Sequence, residues 1–228
     1  MQRILVLNPK GGSGKTTVAT NLASYFASQG DRPLLQDDDP QGSSTRWLKK
    51  RQPGQAFIHG VAAFERNARV TRTFQMRVPP DARHVIIDTP AAVPPQDLPG
   101  LTNNAQAIIV PVLPSDIDIH AFSKCIADLL LIAKVNRGEN RIGVVANRVK
   151  RNTLIYQSLM KFLATLKIPV VATLRDSQSY IRAAELGVGL HEMKRQTVAQ
   201  DVADFEPLLA WLLAKEPLVD PAASAAAV

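Results

Sequence analysis

Hydrophobic and polar positions alternate between two textures along this chain. Short aliphatic and β-branched runs at 4–7, 33–36, 84–88, 107–113, 142–146 and 168–174 predict strands. Several are apolar throughout, as strands of a parallel sheet are when both faces are covered. Between them, longer segments at 15–29, 43–50, 119–136, 153–166, 178–187 and 198–215 carry apolar residues at helical spacing. The repeated strand-then-helix order predicts an α/β fold, a three-layer sandwich with a mostly parallel sheet and helices on both faces. Ligands of such sheets bind at the carboxyl ends of the strands. Residues 51–80, with "QPG" and "VPP", read as irregular, residues 1–216 as one domain, and residues 217–228 as a frayed tail.

Composition narrows this picture. With 228 residues, 46% hydrophobic and 21% charged, the chain is long enough for one substantial core. Cys125 is the only cysteine, which excludes a disulfide framework or a paired-cysteine metal site within the chain and fits a reducing compartment. No basic-then-apolar leader opens the sequence, and apolar runs such as "AIIVPVLP" and "PLLAWLLA" are too short to span a bilayer, so a cytoplasmic protein without membrane attachment is expected. Charge is unevenly placed. From Arg141 to Arg195 there are ten Lys and Arg against three acids, which accounts for the whole net charge of +7 and points to a polyanionic partner.

The chemistry begins at "NPKGGSGKTT", residues 8–17, which follows a predicted strand and opens a predicted helix. Gly11, Gly12 and Gly14 let the backbone curl so that successive N–H groups point inward, and the helix adds its positive end, the requirements of a phosphate cradle. With Ser13 and Thr17 completing the loop, Lys15 is placed to reach the β and γ oxygens of a nucleotide and Thr16 to offer a hydroxyl to Mg²⁺. Asp88 ends the strand "HVIID" in the Walker B position, beside the same ion. "LLQDDDPQGS" ends another strand in three carboxylates, and strand alternation assigns Asp37 to the Mg²⁺ water shell, Asp39 to the attacking water and Asp38 to solvent.

Together, "KGGSGKTT", "DDDPQGS", "IIDTP" and the basic C-terminal third resemble the ParA/MinD group of deviant Walker A P-loop NTPases. Within it they are most similar to short ParA-like partition and carboxysome-positioning proteins, over about residues 2–215. The resemblance implies an ATPase that uses ATP and Mg²⁺, forms a homodimer in the ATP state, binds double-stranded DNA nonspecifically and meets a separate adaptor protein on its cargo over the nucleoid. It makes Lys10 the signature lysine that crosses the dimer interface to the partner's nucleotide, and Pro9, where a first glycine would stand, is no departure from the pattern. A lysine on the outer lip of the cradle, five residues before Lys15, also suits a second chain better than its own phosphates. Catalytic roles therefore fall to Lys10, Lys15 and Asp39.

Base and DNA contacts are read from the last strands and the basic C-terminal third. "ANRVK", residues 146–150, lacks the aspartate of a guanine-reading N-K-x-D loop, which favours ATP, with Asn147 at the adenine edge and Arg175 or Asp176 closing over the base. Arg148, Lys150, Arg151, Arg182, Lys194 and Arg195 are candidates for gripping DNA phosphates, and the scarcity of aromatics among them favours nonspecific binding. A MinD-like membrane route is disfavoured because Asp201, Asp204, Glu206 and Glu216 on the last helix outweigh Lys215 and would repel anionic lipid. A nitrogenase-type iron protein would need two cluster cysteines per chain. A small-molecule ligase or kinase of the dethiobiotin synthetase type stays open, since fold does not fix function. A non-hydrolysing scaffold would leave Lys10 and Asp39 idle.

Overall fold

The computed structural model describes residues 1–65, 71 and 76–215. Strands β1 (Gln2–Val6), β2 (Leu34–Asp37), β3 (His59–Ala62), β4 (His84–Asp88), β5 (Ala107–Val112), β6 (Ile142–Val149) and β7 (Val170–Arg175) form one sheet. Its order is β3-β2-β4-β1-β5-β6-β7, and every pair is parallel. The α/β class and the parallel sheet follow the sequence reading. The helices are α1 (Lys15–Ser28), α2 (Ser43–Lys49), α3 (Leu98–Thr102), α4 (Asp116–Leu131), α5 (Leu154–Leu166), α6 (Gln178–Leu186) and α7 (Arg195–Leu213).

The all-apolar strands are explained by what covers each face. On one side Leu5, Leu7, Val85, Ile87, Ile108 and Val110 pack with Phe122, Ile126 and Leu129 of α4 and Leu159 and Leu163 of α5. On the other, the alternate residues Ile4, Val6, Ile86 and Ile109 pack with α1, Trp47 of α2, and Phe205, Leu208 and Leu212 of α7. Each such side chain, fully buried, contributes about 1.5–3 kcal/mol, so the two covering layers, rather than strand propensity, hold the sheet. The strand order runs to β4 on one side of β1 and to β5 on the other, which leaves a crevice above β1 where successive connections diverge.

Several boundaries differ from the sequence reading for identifiable reasons. Part of the stretch read as irregular is β3, a four-residue edge strand paired to β2. A Cβ at its Gly60 would lie 2.7 Å from Leu48 Cδ1, so the residue that blurs the strand pattern is the one that lets α2 pack there. Helix α3 and the 3-10 turn before it, Pro95–Asp97, were not anticipated. α4 starts at Asp116 rather than 119, because Ser115 caps it by accepting from the Asp118 N–H. It stops at Leu131 rather than 136. α7 starts at Arg195 rather than 198, and β6 extends to Val149 through irregular pairing with β7. Glu216 and the tail at 217–228 lie outside the described residues.

One long-range lock positions the loop that carries Asp39. Arg51, just beyond α2, places Nη2 2.6 Å from Glu192 Oε1, and both side chains are largely buried. Glu192 also accepts from Ser24 of α1 and from the Gly189 N–H. The Trp47 indole N–H donates to the Val188 carbonyl oxygen. α2 is thereby fixed between α1 and the segment after α6.

Candidate functional site

The glycine-rich loop sits above β1, held from both sides. Asn8 donates from Nδ2 to the Pro111 carbonyl oxygen and accepts from the Lys10 N–H, tying the loop to the end of β5. Asn147, at the end of β6, donates from Nδ2 to the Ser13 carbonyl oxygen at 2.9 Å. Gly12 and Gly14 have φ of +77° and +97°, a region L side chains seldom adopt. A Cβ on Gly14 would also come within 2.0 Å of Asn147 Nδ2. The glycine is thus required by conformation and by the brace that touches it.

Lys15 is buried at the start of α1, with Nζ donating to the carbonyl oxygens of Asn8 at 3.0 Å and Lys10 at 3.3 Å. Burial lowers its pKa, opposed by the nearby carboxylates of Asp88 and Asp39. A desolvated ammonium held by loop carbonyls is oriented toward the mouth of the cradle, where an oligophosphate would restore its ion pairing.

Asp88 is the most perturbed carboxylate of this site. Its Oδ2 accepts from Thr16 Oγ1 at 2.8 Å and from Ser44 Oγ at 2.6 Å, while Oδ1 is buried with no hydrogen bond among the described residues. Its pKa is pushed up to about 6, chiefly by burial and in part by neighbouring Asp37, against the pull of the two hydroxyls and of the Lys15 charge. Register puts Asp37 directly beside Asp88 across the β2–β4 pair.

The three consecutive aspartates separate in a way alternation did not give, because β2 ends at Asp37 and the next two residues lie beyond the strand. Asp37 is 1% exposed and spends both oxygens on backbone, accepting from the N–H groups of Asp39 and Thr45. It does not line the cleft. In this structure it braces the loop and the start of α2. Asp38 is half-buried and accepts from Gln36 Nε2 rather than pointing to open solvent. Asp39 does line the cleft, together with Gly11, Gly12, Gly14, Lys15, Thr16, Pro40, Gln41 and Ser43, around a volume of ≈ 660 Å³.

A second cleft of ≈ 370 Å³ shares Gly12, Gly14 and Thr17 with this region and continues to Asn147, Arg148, Arg175, Asp176, Ser177 and Tyr180. The residues read as base contacts are therefore gathered beside the loop. Asn147 is committed to the loop and Arg175 to Asp201 of α7, with Nε and Nη2 at 2.6 and 3.0 Å from its two oxygens.

Lys10 has a partner in its own chain. Nζ lies 2.5 Å from Asp118 Oδ2, with Lys10 34% and Asp118 3% exposed, and Asp118 Oδ1 is buried without a hydrogen bond among the described residues. The sequence offers a signal for Asp118 in its S-x-x-D capping spacing from Ser115, but nothing to link it to a loop more than a hundred residues earlier. Ser44 was equally invisible, since only the approach of α2 to β4 gives it a partner.

The six basic candidates do not behave alike. Arg148 has φ of +51° and pairs with Asp176 at the base cleft. Arg151 pairs with Asp204 of α7. Lys150, Arg182, Lys194 and Arg195 form no ion pair among the described residues. The acids of α7 also differ from expectation: Asp201 and Asp204 are buried and paired, so they are absent from any lipid-facing surface. Among the described residues no helix is long and apolar enough to cross a membrane.

With this geometry in view, comparison with known proteins is direct. Residues 4–190 match the CobQ/CobB/MinD/ParA nucleotide binding domain. The chain belongs to that family. A maintenance of carboxysome distribution protein A from Gloeobacter kilaueensis is 30% identical over 209 residues, 89% of each chain. The chromosome-partitioning ATPase Soj from Thermus thermophilus is 29% identical over 188 residues, 70% of this chain and 74% of that one. A solved McdA structure from Cyanothece superimposes with a TM-score of 0.69 at 16% identity, covering 93% of this chain and 99% of that one, which supports the ParA/MinD-like fold. The chain is thus a ParA/MinD-type nucleotide-binding protein of the positioning ATPase family.

Proposed function

We propose that this ParA/MinD-family member hydrolyses ATP to ADP and phosphate, dimerises in the ATP state, binds duplex DNA without sequence preference, and so positions a cargo over the nucleoid through a separate adaptor. The observation that carries the reading is the continuity of the two clefts through Gly12, Gly14 and Thr17. One end offers a phosphate cradle with Lys15 and Asp39, the other a recess beside Asn147, Arg175 and Asp176. An elongated ligand with an oligophosphate at one end and a ring at the other fits that shape.

The residues present suit Mg²⁺. Asp88 Oδ1 is a buried acceptor without a donor, Thr16 and Ser44 supply neighbouring hydroxyls, and no cluster of three His, Cys, Asp or Glu exists among the described residues to form an all-protein cage. Mg²⁺ prefers hard oxygen donors and keeps several waters and phosphate oxygens. Thr16 would hold it directly and Asp88 from behind; when bound it would offset charge on the phosphates. The chain's own residues do the remainder. The loop N–H groups and Lys15 bind and orient the phosphates, and Asp39 accepts a hydrogen bond from the attacking water.

Asp39→Ala is expected to lower ATP turnover at least about 100-fold while nucleotide affinity changes by less than about 3-fold. Steady-state hydrolysis and calorimetric titration with ATP test this. Wild-type turnover in the variant would reassign the water-positioning role.

For DNA, ion pairing within the chain decides which basic residues make clean probes. Arg151 is paired to a buried aspartate, so reversing its charge would disturb the fold. Lys150 and Lys194 form no ion pairs among the described residues, which makes them the cleaner probes. ATP-bound protein is expected to bind mixed-sequence duplex with a salt slope corresponding to about six to ten phosphate contacts, since a dimer doubles the contacts of each monomer. Lys150→Glu with Lys194→Glu should flatten that slope and leave ATP affinity intact. Equal binding by the ATP and ADP forms, or an unchanged slope in the variant, would refute the nucleoid track.

A further inference from the structure

The pairing of Arg175 with Asp201 has features that a merely stabilising ion pair does not need. Asp201 is fully buried on α7, yet the arginine it holds is 45% exposed and lines the ring-sized end of the nucleotide cleft. The contact is bidentate, through Nε and Nη2, which fixes the plane of the guanidinium as well as its position. Asp201 also accepts from Ser177 Oγ at 3.0 Å, and Ser177 caps α6 by accepting from the Ser179 N–H. One carboxylate therefore anchors both the last residue of β7 and the first turn of α6, the helix that carries Tyr180, Ile181 and Ala184 into the same cleft.

The electrostatic consequence is specific. A free arginine beside a phosphate cradle would be drawn to the phosphates. Arg175 has its charge countered by a desolvated carboxylate, and two of its five N–H groups are occupied. What remains toward the cleft is a flat, oriented surface with a short row of donors, a shape suited to an aromatic ring. Resting on the reading of this cleft as the base end of an ATP site, we infer that Asp201 is a positioning residue that turns Arg175 from a phosphate ligand into a platform for the purine. Asp204, also buried on α7, serves as the geometric control: its charge is felt at Arg175 and Tyr180, but its hydrogen bonds go to Arg151 and Gln200, neither of which lines the cleft.

The inference separates base from phosphate, so the test uses two probes on the full chain, ATP and inorganic tripolyphosphate, each with Mg²⁺, measured by calorimetric titration. Wild-type protein should bind ATP more tightly than tripolyphosphate. Asp201→Asn should weaken ATP by about 10-fold and leave tripolyphosphate unchanged or tighter, since the released guanidinium is free to turn to the phosphates. Arg175→Lys, which keeps a cation for Asp201 but loses the plane, should do the same and carries the test if Asp201→Asn does not fold by circular dichroism. Asp204→Asn, which alters the charge near Arg175 but not its plane, should change either ligand by less than about 2-fold. Unchanged ATP affinity in a folded Asp201→Asn or Arg175→Lys protein overturns the inference, as does a parallel loss of tripolyphosphate, which would make Arg175 a phosphate contact. Equal binding of ATP and tripolyphosphate by the wild type would instead remove the base site itself, a failure seen before any variant is made.

Discussion

Asp88→Asn is expected to make the protein more stable and at least about 100-fold less active at once. In the folded chain the Asp88 carboxyl titrates at about 6 instead of 3.8, because burial disfavours its charge. The folded state thus holds this proton more tightly than the unfolded state does. Stability contributed by the group is complete below about pH 4, declines as pH rises, and above pH 6 the native state carries the full penalty, about 3 kcal/mol. Asparagine removes the charge while its carbonyl oxygen can still accept from Thr16 and Ser44. Burying its amide gives back part of the gain, leaving about 1–2 kcal/mol at pH 7.5, or about 3–6 °C in the thermal midpoint. The gain should vanish near pH 4, where the folded carboxyl is protonated and the unfolded one is close to half-protonated, so that little of the charge penalty remains. Melting curves of the two proteins at pH 4, 6 and 7.5, taken without nucleotide, check this; a variant less stable than wild type at pH 7.5 would show that the carboxylate is satisfied as a charge. An unchanged ATPase rate would remove Asp88 from the site.

The second large effect concerns Lys10, where two roles share one side chain. Within the chain Lys10 neutralises Asp118, which is 3% exposed. Lys10→Ala leaves that carboxylate buried and unpaired, an expected loss of about 1–2 kcal/mol after allowing for the partial exposure of the lysine. If Lys10 also reaches a partner's nucleotide, the same variant remains monomeric with ATP. The double variant Lys10→Ala with Asp118→Asn separates the two effects, because it removes the buried charge together with its partly exposed partner. Its stability should return to near that of wild type while its ATP-dependent dimerisation stays lost. Light scattering with ATP, alongside denaturant melts of both variants, decides the matter. Recovery of the dimer in the double variant would confine the lysine's role to its own chain.

How much of this was readable beforehand depended on whether a residue's partner was near in sequence. The cradle was legible because Gly11, Gly12, Gly14, Lys15 and Thr16 are contiguous and follow an apolar strand. Asp88 was legible because its strand pattern ends in it. Ser44, Asp118 and Asp201 were not, since each gains its role from a helix brought against a distant strand or loop, and an isolated Ser or Asp at a helix position carries no mark of that. Asp38 and Asp39 show a different limit. Alternation predicts side-chain direction only while the strand lasts, and β2 stops at Asp37. β3 was missed because a half-buried edge strand of four residues, one of them glycine, has too few alternations to register. The acids of α7 were misplaced because a charged residue on a helix is ordinarily a solvated one, and burial here depends on Arg175 and Arg151 arriving from other elements.

The brace between Asn147 and the Ser13 carbonyl oxygen bears on how this machinery could be transplanted. The ten residues from Asn8 to Thr17 look like a self-contained cassette, but the curl of the loop is closed from outside by a side chain on β6, and Gly14 is shaped to admit it. A graft of the cassette onto another parallel sheet would carry the sequence pattern without the clamp. A designer moving this function would have to move a strand end with the loop, and a search that scores the loop alone would accept scaffolds unable to hold it.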